Sequence, residues 1–263
     1  MNQAKMQDAG NTAIHLRYRR QRTRTPRLAL AFLLTIPLLP GSARAEAPKS
    51  VPTVQLPSPS SPLVAIRLVF RVGSQNDPKG KEGLAALTAA MIAQGGTKSL
   101  TYEQVLQKFY PISASVDGTC LKEITVFSGL IHRDNLGKYA PILAEMVAEP
   151  RFSPEDFERL RNDALDGVTK YLRGNNDEEL GKWTLQTSLY HDHPYGHPDL
   201  GTEKGLRSIT LDDVKEFHRR HYSRESLTVG LAGGFEPSEA GKFEQLLSHL
   251  PGKGVSIPEL PAP

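Results

Sequence analysis

The segment that most constrains the fold is a run of small and apolar residues at Gly83–Thr97, GLAALTAAMIAQGGT. Its large apolar side chains recur with the spacing of one helix face: Leu84, Leu87, Met91 and Ile92. This spacing predicts an amphipathic helix with one buried side. Glycine is common just past a helix end, so Gly95-Gly96 predicts where the helix stops. By composition this is a small-residue helix of a protein core.

The order of residues in this helix resembles the zinc-binding helix of insulinase- and pitrilysin-type peptidases, Gly-Leu-Ala-His-x-x-Glu-His-Met-x-x-x-Gly-Thr. In that family the two histidines, at i and i+4, bind zinc from one helix face, and the glutamate acts as general base on the metal-bound water. The frame of the motif is present here as Gly83-Leu84-Ala85, Met91, Gly95 and Thr97.

The reactive residues of the motif are absent from this chain. The resemblance assigns the histidine positions to Ala86 and Ala90 and the glutamate position to Ala89. It assigns the third ligand, a glutamate on a later helix, to Gly167, which lies 77 residues after Ala90. Alanine and glycine side chains offer no lone pair and no proton. We therefore expect no catalytic and no metal-binding residue at these four positions, although Gly167 could also serve close helix packing.

Two further segments occur in the family's order. Ser153–Asp156 has a hydroxyl cap, a proline in the first turn and acids at the positive helix end, which together predict a helix start. His193–Gly196 with Gly201-Thr202 resembles the family's His-Pro-Tyr-Gly loop, which packs structurally. The resemblance covers about Val51 to Leu250. It implies an α+β fold with a single, mostly antiparallel sheet and helices packed on it, as in the N-terminal half of insulinase and mitochondrial-processing-peptidase-like metallohydrolases.

The first 45 residues have the layout of a secretory signal. A basic run at Arg17–Arg27 precedes an apolar core at Leu28–Leu39, and Ala43-Arg44-Ala45 supplies the small residues of a cleavage site. An apolar core of this length is too short to cross a bilayer, which takes about 20 residues. We expect a signal peptide at 1–45, a peptidase-like domain at 46–250 and a proline-rich linker at 251–263, in an exported, periplasmic protein.

The net positive charge of the chain comes from this leader. Residues 1–45 carry eight Lys/Arg and one acid, whereas the rest carries 24 Lys/Arg against 28 Asp/Glu. The net positive charge of the chain is therefore no argument for nucleic-acid binding. A single cysteine, Cys120, excludes an internal disulfide framework, and we interpret it as structural.

Periodicity and turn residues predict the remaining elements. The expected strands are Val51–Leu56, Leu63–Val72, Ser113–Val116, Glu123–Gly129 and Leu227–Ala232, with the third and fourth joined at Asp117-Gly118. Further helices are expected at 101–110, 136–148, 153–172, 177–190, 211–221 and 238–250. Trp183, Leu185 and Leu189 are expected to face inward, and His218 and His221 to lie at a solvated helix end.

The histidine-rich loop offers an alternative metal site. His191, His193 and His197 could ligate zinc, with Glu178 or Glu179 as base, although their spacing is not that of a helix face. This alternative would make the chain an active zinc metalloendopeptidase with displaced ligands.

The favoured function is a non-catalytic subunit. Some members of the family pair an active subunit with one that lacks the zinc motif, and the resemblance implies that this chain helps to enclose a peptide substrate for an active zinc-peptidase partner. Zinc is then expected only in the partner. Val51–Leu56 or Leu63–Val72 is expected to line the peptide chamber. A truncated remnant without its own activity is the remaining alternative.

Overall fold

The computed structural model describes residues 51–172, 174 and 176–254. The predicted leader and residues 255–263 of the predicted linker lie outside them. Five strands in this part of the chain form one sheet in the order β1-β5-β2-β4-β3. The strands are β1 Thr53–Pro57, β2 Leu63–Phe70, β3 Asp117–Cys120, β4 Thr125–His132 and β5 Leu227–Gly233. Only the β1–β5 pair is parallel, so the mostly antiparallel sheet predicted from the sequence is confirmed.

Eight α-helices accompany the sheet in the described residues. They are α1 Leu84–Gln94, α2 Tyr102–Phe109, α3 Leu136–Ala148, α4 Pro154–Asp166, α5 Asp177–Leu189, α6 Glu203–Ser208, α7 Leu211–His221 and α8 Pro237–Leu246. The cap predicted at Ser153 is present, because Ser153 Oγ accepts the Asp156 amide, and Thr101 Oγ1 likewise accepts the Gln104 amide at the start of α2. After α4 the backbone continues as a π-helical segment, Gly167–Leu172.

The core lies between the sheet and α1, α3 and α7. Alternation along β2 buries Val64, Ile66, Leu68 and Phe70 on one face, while the intervening side chains keep contact with solvent. The helix predicted from Gly83–Thr97 is almost entirely buried and contacts β3, α4 and α7.

A glycine on β4 sets how closely α3 approaches the sheet. The Tyr139 hydroxyl donates a hydrogen bond to Ser115 O at 2.8 Å, in the space that a side chain at Gly129 would fill. A Cβ built on Gly129 would overlap the Tyr139 hydroxyl. The pair therefore lets a large aromatic side chain be fully buried between helix and strand.

The predicted turn at Asp117-Gly118 is wrong. Both residues lie within β3, and the connection to β4 is made at 121–124, where the Leu121 amide donates to Ile124 O at 2.8 Å. A Cβ on Gly118 would lie 3.0 Å from Ala93 Cβ and 3.1 Å from Ala89 O. The glycine thus marks the close contact between β3 and α1, and it does not mark a turn.

The predicted inward orientation of α5 is also wrong in part. Leu185 and Leu189 are 61% and 69% exposed, and only Trp183 is half-buried. None of the side chains of this helix is fully buried. The stripe that includes both leucines faces solvent because no other element of the described chain covers it.

The expected solvated helix end at His218 is not observed. Its side chain is buried, its Nε2–H donates to Val147 O at 2.8 Å, and its ring stacks on Tyr222. Burial lowers the pKa of His218. His221 is half-buried, and burial lowers its pKa to about 4. None of the helices in residues 51–172 and 176–254 combines the length and apolar character needed to span a bilayer.

Candidate functional site

The N-terminus of α1 is held by a buried carboxylate. Asp77 Oδ2 accepts the Gly83 amide and Asp77 Oδ1 accepts the Ala85 amide, each at 2.7 Å. These are amide groups that a helix start leaves without intrahelical partners, so Asp77 takes the place of a capping residue. Gly83 itself has φ +109°, a conformation that favours glycine.

The surroundings of Asp77 oppose its ionisation. Its side chain is fully buried, and this burial raises its pKa to about 7 from the ordinary 3.8. The two helix amides and the Lys122 ammonium pull the pKa down, while Glu82 pushes it up. Desolvation is the largest of these effects.

The four positions that the family motif assigns to metal chemistry carry no donor atoms. Ala89 is buried beneath β3, and Ala86 and Ala90 are half-buried on the same helix. Gly167 follows α4, a helix that contacts α1, and a Cβ on Gly167 would meet no atom within 4 Å. Close packing therefore does not explain Gly167. A zinc ion of the family type does not fit these residues, because methyl groups and a hydrogen atom cannot ligate it.

The three loop histidines have different surroundings. His191 is exposed beside Asp192, with Nδ1 2.9 Å from a carboxylate oxygen. His193 Nδ1 accepts the Tyr195 amide, and its ring packs between two tyrosines. His197 is mostly buried, with Nε2 3.9 Å from Asp77. Across the described residues, no group of three or more His, Cys, Asp or Glu side chains is arranged to hold a metal ion.

Polar contacts fasten this loop to the start of α1. Lys122 Nζ lies 2.9 Å from Asp199 and also donates to His197 O. Ser74 Oγ donates to Asp199 Oδ1 at 2.6 Å. The Thr202 amide donates to Glu82 O at 3.2 Å, a contact on the far side of the same junction. The loop therefore packs against the segments next to α1 in a structural role, as the resemblance implied.

A feature that the sequence did not reveal is the free edge beside α1. Among the strands that the structure describes, β3 pairs with β4 alone, and it lies directly on α1. Asp117, Gly118 and Thr119 are exposed. Of the two predicted chamber strands, β1 is the opposite edge, whereas β2 is hydrogen-bonded on both sides and cannot add a strand. The sequence does not predict β3, because the glycine in Asp117-Gly118 is typical of a turn.

Cys120 lies at the inner end of this strand. Its pKa is raised to about 12, first by burial and then by the nearby Asp77 carboxylate. A thiol with this pKa stays protonated and is a poor nucleophile, so its environment agrees with the structural role predicted for it.

Comparison with known proteins identifies two family models along the chain. Residues 53–203 match "Insulinase (Peptidase family M16)" and residues 208–263 match "Peptidase M16 inactive domain". The first match alone covers more than half of the chain.

Individual relatives agree with these models. An uncharacterized zinc protease of Rickettsia bellii is 29% identical over 188 residues, which cover 71% of this chain and 45% of the relative. A "Non-peptidase homolog YmxG" of Helicobacter pylori is 26% identical over 213 residues, which cover 79% and 48%. The chain thus spans less than half the length of these curated relatives.

A solved structure shares the fold. The peptidase M16 inactive domain from Pseudomonas fluorescens superimposes with a TM-score of 0.73 and 27% identity. The superposition covers 80% of this chain and 51% of that chain.

Proposed function

This chain belongs to the insulinase family of peptidases (M16), and we propose that it is a non-catalytic half or subunit that binds peptide for an active zinc peptidase. The observation that carries the proposal is the helix α1. Most of its family frame is retained and buried, yet Ala86, Ala89, Ala90 and Gly167 occupy the positions of the three ligands and the base.

The proposed binding element is the free edge of β3. An extended peptide added there would pair its backbone with β3 and run along α1, where an active member of the family would hold its metal. Main-chain hydrogen bonds at an edge bind many sequences, so the contribution of this chain is to position the peptide, while cleavage takes place in the partner. Zinc is accordingly proposed for the partner alone.

Comparisons with known proteins support this proposal. The Helicobacter pylori relative is named a non-peptidase homolog, and the C-terminal match is to an inactive domain. The matched segment is less than half of each relative, which favours a companion half or subunit of similar size. Export to the periplasm is proposed from the leader pattern and predicts a mature N-terminus at Glu46.

Two measurements on purified protein test the catalytic part of the proposal. After dialysis against a chelator and then against zinc, elemental analysis is expected to find no stoichiometric zinc. A quenched fluorogenic peptide is expected to remain intact unless an active family member is added, and the added chain should then raise the rate. Stoichiometric zinc together with cleavage by the chain alone would refute the proposal.

Backbone-modified peptides test the binding edge. A fluorescent, extended peptide is compared with two versions N-methylated at either the odd or the even positions. Edge pairing uses every second amide of the added strand, so only one of the two methylated peptides should lose binding. Hydrogen exchange should slow at Asp117–Cys120, with Thr53–Pro57 on the opposite edge as the internal control. Equal binding of all three peptides, or protection at the control edge alone, would contradict the assignment to β3.

A further inference from the structure

A cleft of about 490 Å³ lies between helices α3 and α8. Phe243 and Leu246 line it from α8, and the side chains that line it from α3 include Ala140, Ala144 and Ala148. The alanines are too short to fill the space between the two helices. The volume is within the range of small-molecule sites, and most of the lining side chains are apolar, as in such sites.

A proline inside α3 leaves one backbone acceptor available in the wall of this cleft. Pro141 has no N–H, so the carbonyl oxygen of Gly137 lacks the donor that the residue four positions later normally supplies. Gly137 and Pro141 both line the cleft and are exposed, and no side chain of the described residues donates to this carbonyl. The wall therefore offers a hydrogen-bond acceptor to a ligand.

A carboxylate lies at the same end of the cleft. His249 Nδ1, just after α8, lies 3.8 Å from Glu149 Oε2, just after α3, so the two helices end side by side. Their first turns, with Gly137 on α3 and Glu239 on α8, therefore share the opposite end of the cleft. Glu239 is half-buried. Its Oε2 accepts the Glu236 amide at 2.9 Å, and its Oε1 has no partner in the described part of the chain.

The remaining charged groups of the lining favour a cation over an anion. Both oxygens of Glu145 accept hydrogen bonds from Ser99, and Glu149 pairs with Lys98 at 2.8 Å, so these two carboxylates are already engaged. Lys242 also lines the cleft, but its side chain is exposed, and an exposed ion pair contributes little. An anion would meet three carboxylates and an acceptor carbonyl, whereas a cation would meet a half-buried carboxylate oxygen that is free to pair.

We propose that this cleft binds a compact apolar amine, with its hydrocarbon part between Ala144 and Phe243 and its ammonium at the end that carries Glu239 and the Gly137 carbonyl. An ammonium has three donors, so one group can serve both acceptors. Leu231 of β5 also lines the cleft, and β5 is three strand spacings from β3, the proposed peptide-binding edge. The inference therefore does not depend on the proposed function, and either can fail alone.

Three probes with the same apolar body test the class of ligand. Diphenylbutylamine, the corresponding alcohol and the corresponding carboxylate are titrated into the full-length chain, and amide NMR shifts give both the affinity and the place of binding. The amine should bind at least about tenfold more tightly than the carboxylate, with the alcohol between them, because a charged donor makes the stronger hydrogen bond. The shifts should be largest in α3 and α8.

Two variants test the polar end of the cleft. Pro141→Ala returns an N–H to the Gly137 carbonyl and should weaken binding of the amine about tenfold. Pro154→Ala is the matched control and should leave binding unchanged, because proline in the first turn of α4 removes no helical hydrogen bond. Glu239→Gln keeps an acceptor oxygen for the cap of α8 but loses the charge, so it should weaken the amine about tenfold and leave the alcohol unchanged.

A third variant tests the apolar part. Ala144→Phe should occupy the cleft and weaken all three probes alike. If this variant does not fold, Pro141→Ala and Glu239→Gln decide the question, since neither change introduces a larger side chain.

Three results would overturn the inference. One is an amine that does not bind at millimolar concentration, or whose shifts lie outside α3 and α8. Another is a carboxylate probe that binds as tightly as the amine. The third is an affinity for the amine that stays the same in both Pro141→Ala and Glu239→Gln.

Discussion

The buried carboxylate at the start of α1 makes the stability of the fold depend on pH in a direction that can be calculated. Asp77 has a pKa of about 7 in the folded chain because of burial, against an ordinary 3.8. Between these two values the folded state binds more protons than the unfolded state. The contribution of this group to stability is therefore greatest below about pH 4. It falls as the pH rises from 4 to 7 and is lost above that range.

The magnitude follows from the difference between the two pKa values. Each pH unit between them is worth about 1.4 kcal/mol, so the full effect is about 4 kcal/mol. At pH 5 about a third of this 4 kcal/mol of unfolding free energy has been lost, and at pH 8 all of it has been lost. From pH 5 to pH 8 the wild type is expected to lose about 3 kcal/mol through this group.

The assay is guanidinium unfolding of the wild type and Asp77→Asn at pH 5 and pH 8. The amide cannot titrate, so the variant should lose about 3 kcal/mol less between the two pH values. It should also be less stable at pH 5, because asparagine has one acceptor oxygen for the Gly83 and Ala85 amides, whereas both oxygens of the protonated carboxyl can accept. Asp212→Asn, a change at an exposed carboxylate, is the control and should parallel the wild type.

Parallel profiles for the wild type and Asp77→Asn would refute the reasoning. A variant that loses more stability than the wild type as the pH rises would reverse it. That result would mean that the two helix amides outweigh burial and hold the carboxyl pKa below its ordinary value.

Three further changes test the packing. Gly129→Ala should cost about 1–3 kcal/mol in denaturant unfolding because the new Cβ meets the Tyr139 hydroxyl, and a cost near zero would contradict that contact. Gly167→Ala should be neutral or up to about 1 kcal/mol stabilising, since open space surrounds the position; a large cost would mean that the glycine is required for packing. Burial lowers the pKa of His218, so its contribution to stability is present above about pH 6.5 and lost as the pH falls, and His218→Gln should flatten acid unfolding followed by circular dichroism. An unchanged acid limb would show that His218 is not the group responsible.

Sequence patterns predicted the elements whose signals are local. The alanine-rich helix, the Ser153 cap and the β-branched strand at 63–72 all appear close to their expected bounds. Periodicity and capping act within a few residues, so one sequence contains the information. The loss of the family's reactive residues from α1 could also be predicted, because most of the surrounding motif is retained.

The incorrect predictions share a different cause. Each concerns a feature that depends on contacts with residues distant in sequence. The sequence predicts a turn at Gly118 because the close neighbour of this glycine, Ala93, comes from another element. It predicts a solvated His218 because the carbonyl that this side chain contacts, Val147 O, lies 71 residues away. It predicts inward-facing Leu185 and Leu189 because an apolar stripe does not reveal whether another element covers it.

The pairing of β1 with β5 has a consequence for how the chain acquires its structure. Thr53 aligns with Val229, and β5 also forms one side of β2. Among the described strands, neither β1 nor β2 can complete its hydrogen bonding until β5 has left the ribosome, and such distant pairing is slow to form. A nascent chain that stops before Leu227 would present two unpaired strand edges at once. Premature termination should therefore yield aggregates, and chaperone protection should matter most until β5 has been synthesised.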